Sequence, residues 1–259
     1  MKHTILLAAA SQVNLVPLME ASERLLNASI KKSFKVFYLE EILNLHAVAA
    51  GMSQQGEIDR LVSKVENELL VEKYAKEHGF SVELLRNVED ELTVSSQSSV
   101  ADLMIVDLDY EEHLNEQFLA NLFQQVDCPI LLLPKKYDFD CLVAVHDASK
   151  ASVKTLKDFL KLFDENLMKL PFSLLMEEAV EEMDMKRERV FINYLKLFFE
   201  DMGAQHIHDD PLKSLYDFVQ NECDKPMLCV NNSLGMEIVE SDEVFSLQDL
   251  KHPIFISKD

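Results

Sequence analysis

Apolar residues in this chain follow two alternating patterns. Short continuous apolar runs are separated by stretches where apolar residues recur every three or four positions. The first pattern predicts strands buried on both faces, and the second predicts amphipathic helices. Ile5–Ala9 predicts a strand. Leu18, Met19, Ser22, Leu25 and Leu26 then share one helical face, with Pro17 tolerated in the first turn. "FKVFYLEE" (Phe34–Glu41) predicts a second strand. Ile58, Leu61, Val62, Val65 and Leu69 predict a long amphipathic helix that stops at Gly79. "FSVELL" (Phe80–Leu85) predicts a third strand, and a weaker helix follows over Glu91–Val100. The segment "ADLMIVDLDYEEHLNEQFLANLFQQVDCPILLLP" (Ala101–Pro134) supplies a fourth strand, a helix and a fifth strand. Phe118, Leu119, Leu122, Phe123 and Val126 lie on one face of that helix.

The pattern then restarts. "CLVAV" (Cys141–Val145) predicts a strand, and Val153, Leu156, Leu160 and Phe163 mark a helix. "FSLLMEE" (Phe172–Glu178) echoes "FKVFYLEE". A long helix ends at Gly203 as the earlier one ends at Gly79, and "AQHIH" follows where "FSVEL" did. "PMLCV" echoes "DLMIV", and "HPIFIS" echoes "CPILLL". Ala101 to Pro129 is 28 positions, and so is Lys225 to Pro253. This is an internal repeat of domain length, too long for a solenoid period. The expected architecture is α/β: two tandem Rossmann-like domains, 1–137 and 138–259, each a parallel sheet flanked by helices.

Two stretches carry a family resemblance. "ADLMIVD…DCPILLLP" and "LVAVHDASKASVKTL" resemble the universal stress protein domain, whose first strand reads roughly "ILVAVDGS", its fourth "ADLIVVG" and its fifth "CPVLVV". The resemblance implies five strands per domain in the order 3-2-1-4-5, with the halves paired through their fifth strands. Members of the family that bind ATP carry G-x-x-G and, after a spacer, G-S or G-T following the fourth strand. Those glycines let the backbone approach the phosphates at a helix N-terminus. Counted back from the fifth-strand proline, the first glycine falls on Asp107 and Asn231, and the last on Glu116 and Glu240. Gln117 and Ser241 follow these, and both loops are shorter than the family pattern. Asp107, Asp109, Glu111 and Glu112 put four carboxylates in the first turn. A carboxylate opening a helix satisfies the dipole and repels a phosphate, so Glu116 and Glu240 read as structural.

The family's first-strand aspartate matches Ala9 or Ala10 in the first half and His146 or Asp147 in the second. A nucleotide would therefore sit in the second half, near Val145, His146, Asp147, Ser149, Asn231 and Gly235. The alternative is that Asp147 or Ser149 simply caps the next helix.

Charge and cysteines narrow the classes further. The formal net charge is −21, with 12 basic and 21 acidic residues up to about Tyr137 and 13 and 25 after it. Both halves repel nucleic acid and anionic membrane. Cys128, Cys141, Cys223 and Cys229 show no C-x-x-C spacing, and a reducing cytosol with unpaired thiols is the simplest account. "MKHTILLAAAS" is too short in its apolar part for a signal core and reads as the first strand. No apolar run approaches the ~20 residues of a membrane span.

"HIHDD" (His206–Asp210) is the sharpest rival to the nucleotide site. His206 and His208 would share a strand face, and with Asp210 they could contact zinc. His146 would lie a whole strand away, and Asp209-Asp210-Pro211 also reads as a turn and cap. Glu177, Glu178, Glu181 and Glu182 read as a solvated helix start rather than an acid–base pair. Val190–Phe199 is apolar on more than one face, which suits a partner surface as well as a core. No nucleophile elbow, P-loop or dinucleotide fingerprint is present.

The resulting expectation is a cytoplasmic regulatory or interaction protein of universal-stress type. It would be non-catalytic, would need no cofactor, and would have lost the ATP motif. It would act in a stress response through a protein partner, as a homo-oligomer (dimerisation is common in such domains) or an intramolecular pseudo-dimer of the halves. The alternatives are an adenine-nucleotide (ATP or AMP) sensor in the second half, or a metal site at His206 and His208.

Overall fold

The structure, a computed structural model, describes residues 2–10, 13–39, 54–85, 91–108, 116–134, 136–177, 182–207, 210–241 and 252–258. The chain divides into two compact units, Met1–Lys135 and Lys136–Asp259.

The first unit contributes β1 (Lys2–Ala9), α1 (Val16–Leu25), β2 (Lys31–Tyr38), α2 (Gln54–His78), β3 (Ser81–Leu84), α3 (Glu91–Ser98), β4 (Leu103–Asp107), α4 (Glu116–Gln125) and β5 (Ile130–Leu133). Its strands run in the order β3-β2-β1-β4-β5, and every pairing is parallel. Ile5 to Ala9 are fully buried, as are Leu103 to Val106, so the central strands are covered on both faces. The Asp of "ADL" has a mechanical role here. Asp102 accepts from the Thr4 amide through its side chain and donates its own amide to the Thr4 carbonyl, both at 2.9 Å. That reciprocal pair fixes the β1–β4 register. The second strand begins three residues earlier and ends three residues earlier than Phe34–Glu41, at Lys31 and Tyr38.

The second unit contributes β6 (Cys141–His146), α5 (Lys150–Leu162), a short 3-10 turn (Glu165–Lys169), β7 (Phe172–Glu177), α6 (Glu182–Leu195), β8 (Met202–Ile207), α7 (Pro211–Asn221), β9 (Pro226–Asn231), α8 (Asn232–Glu240) and β10 (Ile254–Ser257). The order is β8-β7-β6-β9-β10, again parallel throughout. Its core is aromatic. Phe159 stacks on Phe163 at 4.4 Å, and both meet Phe255 of β10 edge-on at 5.8 and 5.1 Å.

Three expectations are corrected. Gly79 ends α2 with φ +73, the left-handed cap that glycine permits. Gly203 does not play that part: α6 stops at Leu195, and Gly203 lies inside β8 without a positive φ. The apolar stripe of α2 also faces outward. Ile58, Leu61, Val62, Val65 and Leu69 are each at least half exposed, and the buried side of the helix is Asn67, Val71, Tyr74 and Ala75. Finally, Cys141 and Cys223 are joined as a disulfide with Cα atoms 6.8 Å apart, while Cys128 and Cys229 are buried thiols outside that bridge. The pairing was invisible in sequence because it spans 82 positions and depends on α7 delivering Cys223 beside the start of β6.

Candidate functional site

In an open parallel sheet the natural binding crevice lies beyond the carboxyl ends of the strands where the order reverses. In the second unit that point lies between β6 and β9, which pair directly. The residues after β6 are His146, Asp147, Ala148 and Ser149, and β9 ends at Asn231. The fold thus brings His146, Asp147, Ser149 and Asn231 together at the carboxyl edge of the sheet, while Val145 and Gly235 are held in packing.

Their polar atoms serve one another. One Asp147 oxygen accepts from the Ser149 amide at 3.0 Å, and the other accepts from the Asn231 side-chain amide at 2.7 Å. The Asn231 oxygen caps α8 by accepting from the Leu234 amide at 2.9 Å. Ser149 caps α5, accepting from the Ser152 amide at 3.1 Å. Of the two expected caps it is therefore Ser149 that holds the helix, while Asp147 ties the two turns together. Val145 is buried within β6. Ala148 takes the left-handed conformation, φ 58, without being glycine.

His146 is buried, with Nδ1 2.6 Å from the Ser152 hydroxyl and its ring 4.8 Å from Phe191. The Ser152 hydroxyl that meets the imidazole also lies 3.0 Å from the Ser149 carbonyl, so it links the ring to the turn that opens α5. Sequence reasoning missed Ser152. Its signal was its place on the α5 face that carries Leu156 and Phe159.

Burial lowers the His146 pKa below the ordinary 6.5, against the opposing pull of the Asp147 charge. The unfolded chain therefore takes up this proton first as pH falls below 6.5. The second unit is expected to lose stability from that pH down to the folded-state pKa, and to be fully stabilised by this group above it. His146→Gln removes that dependence, and denaturant midpoints compared at about pH 7.5 and 5.5 measure it. Burial works against the Asp147 carboxylate, but bonds from Ser149, Ser152 and Asn231 outweigh it and hold its pKa below 3.8. Its contribution persists above that value and is lost only as pH falls through the lower folded pKa. Glu177 shifts in the opposite sense: burial and the Asp147 charge raise its pKa.

Gly235 is a packing residue. A Cβ there would stand 2.8 Å from Ile256 Cγ2 and 3.0 Å from its Cδ1, both in β10. The glycine lets α8 lie against the strand and presents no free cradle. Gly235→Val is expected to cost about 1–3 kcal/mol by overpacking. Ile256→Ala should recover part of that loss in a double-mutant cycle followed by urea unfolding.

The reading of Glu240 as a helix-opening carboxylate is overturned. It is the last residue of α8, at the negative end of the dipole. The second turn is capped by Asn231 instead. Burial and the charges of Asp210, Glu177 and Glu240 raise the pKa of nearby Glu237. In the first unit, Ala9 and Ala10 are fully buried and Asp107 ends β4, also buried. The carboxylates Asp109, Glu111 and Glu112 lie outside the described residues, as do the side chains of Glu116 and Gln117.

The strand histidines do not gather. His206 is exposed on β8, with β7 between it and His146 on β6. Asp210 Oδ1 accepts from the Leu212 amide at 2.8 Å and the Lys213 amide at 3.4 Å, so it caps α7. His208, Glu178 and Glu181 lie outside the described residues. Among the described residues, a different trio brings donor atoms within 4.8 Å: Asp140, Cys141 and Cys223. The two sulfurs are bonded to each other, which leaves Asp140 as the one ligand atom that set offers. Burial pushes the Cys229 thiol up, which makes it a poor nucleophile.

No protein-family model matches the chain, and no curated protein does. Solved structures do. A universal stress protein from Archaeoglobus fulgidus DSM 4304 is similar with TM-score 0.63 at 12% identity, over 98% of this chain and 96% of that one. The cytoplasmic domain of a prokaryotic cation chloride cotransporter is similar with TM-score 0.54 at 10% identity, over 100% of this chain and 96% of that one. At these identities the likeness is one of fold: an α/β, Rossmann-like fold of universal-stress type.

Proposed function

We propose that this chain is a universal-stress-type regulatory protein that works through protein contacts, without catalysis and without ATP at the sheet's carboxyl edge. The observation that carries this reading is the closed bonding of Asp147, Ser149 and Asn231, whose polar atoms are spent on two helix caps and a cross-link. A phosphate arriving there would meet a carboxylate and displaced caps rather than open backbone donors. Gly235, the glycine nearest the expected motif, is occupied by Ile256. The exposed α2 stripe from Ile58 to Leu69 offers an apolar face for a partner or a second copy of the chain.

The similar cotransporter structure is, by its name, a cytoplasmic domain of a transporter. No helix among the described residues is long and apolar enough to cross a membrane. A cytoplasmic place and a stress-response role belong to the same proposal, and in a reducing cytosol the Cys141–Cys223 pair would be held as two thiols.

The nucleotide-sensor reading is favoured by one observation, the gathering of His146, Asp147, Ser149 and Asn231 at the carboxyl edge of the sheet. The two readings separate cleanly on Asp147→Ala. In the contact-mediated reading, this change costs about 1–3 kcal/mol, because it strands the Asn231 amide, and neither protein shifts its melting temperature with added magnesium–ATP. A clear ATP-dependent shift in the wild type, lost in Asp147→Ala, would establish the sensor instead.

A further inference from the structure

A cavity of about 660 Å³ opens in the second unit between α5 and α6. Its volume falls within the range of small-molecule sites, roughly 300–1,000 Å³. One wall is the α5 face that carries Lys150, Val153 and Lys157, residues three, four and seven apart. The facing wall is α6, with Val190, Phe191 and Tyr194 on it. The cavity therefore has an apolar body and a cationic rim.

Three observations define its chemistry. Among the described residues, four of the five charged side chains that line it are cationic, Lys150, Lys157, Lys186 and Arg187, in a chain that carries 46 acidic residues against 25 basic. The fifth, Glu188, is only 7% exposed, and its Oε1 has no hydrogen-bond partner among the described residues. A buried carboxylate oxygen left unpaired is costly unless a donor reaches it. At the mouth, Ala148 holds its left-handed backbone, and strain of that kind collects at ligand clamps.

We infer that this cavity binds a small apolar anion that carries an N–H group, with its ring or chain between Val153 and Phe191, its anion at the Lys150 and Lys157 rim, and its N–H on Glu188. The His146 ring also lines the cavity, held by its 2.6 Å contact to Ser152. The ligand class differs from a nucleoside triphosphate in its single charge and larger apolar fraction. The proposal goes beyond the regulatory reading and does not rest on it.

The probe is 8-anilinonaphthalene-1-sulfonate, which combines a naphthyl body, one sulfonate and an anilino N–H. The purified full chain is expected to bind one equivalent with enhanced fluorescence, more weakly as salt rises. Lys150→Glu combined with Lys157→Glu should weaken binding about tenfold, since each reversal removes an attraction and adds a repulsion. Val153→Trp should block the site by filling it. Far-UV circular dichroism checks that each variant keeps its fold. The neutral analogue N-phenyl-1-naphthylamine and the N–H-free naphthalene-1-sulfonate should both bind more weakly than the probe. Unchanged affinity in the folded lysine variant and in Val153→Trp would place the probe elsewhere and overturn the proposal. So would no binding by the wild type, or displacement of the probe by magnesium–ATP.

Discussion

Phe159→Ala is expected to destabilise the second unit by about 3–5 kcal/mol. The reason is geometric. Phe159 is fully buried on α5, stacks on Phe163 and meets Phe255 of β10 edge-on. The ring joins the helix that follows the first strand of the unit to the last strand, which are far apart in sequence. Removing it leaves a cavity among rigid aromatic neighbours that cannot collapse easily, so the cavity cost adds to the lost transfer energy. Denaturant unfolding followed by far-UV circular dichroism measures it. A loss below about 1 kcal/mol would mean that this aromatic cluster does not hold the unit together.

Reducing the Cys141–Cys223 disulfide should have an effect nearly as large. The bridge spans 82 positions of sequence and joins the start of β6 to the segment between α7 and β9. For a closed loop of that length the chain-entropy argument gives about 4.5 kcal/mol, and native bridges commonly return about 2–4 kcal/mol. Unfolding midpoints with and without a phosphine reductant should differ accordingly, and Cys141→Ser with Cys223→Ser should match the reduced protein. Equal midpoints in oxidised and reduced protein would show that the bridge does not constrain the unfolded chain.

The alternation of apolar runs and helical stripes was enough to read the strand–helix order, because strands buried on both faces leave continuous apolar runs such as Leu103–Val106. Asp210-Pro211 was legible as a helix start because a capping carboxylate and a proline at the first helical position act locally. What was illegible depends on neighbours distant in sequence. Gly79 and Gly203 look alike in sequence, yet one ends a helix and the other sits in a strand. The stripe on α2 has the spacing of a core face and points outward, because periodicity says which residues share a face and not where that face is turned. Gly235 looks like a remnant of a phosphate loop until Ile256 is placed against it. Asn231 could be assigned to the crevice by position, but its double service to Asp147 and Leu234 required the β6–β9 pairing.

In the proposed reading, the residues at the carboxyl edge of the second unit serve one another and not a nucleotide. The most direct test is to denature protein purified without added nucleotide and resolve the supernatant by anion exchange against adenine-nucleotide standards. The chain has no Trp and six Tyr, so bound adenine would already raise the 260 nm absorbance of the native protein. The expected result is no nucleotide in the supernatant. Adenine nucleotide near one equivalent per chain would contradict the account and make the second unit a sensor.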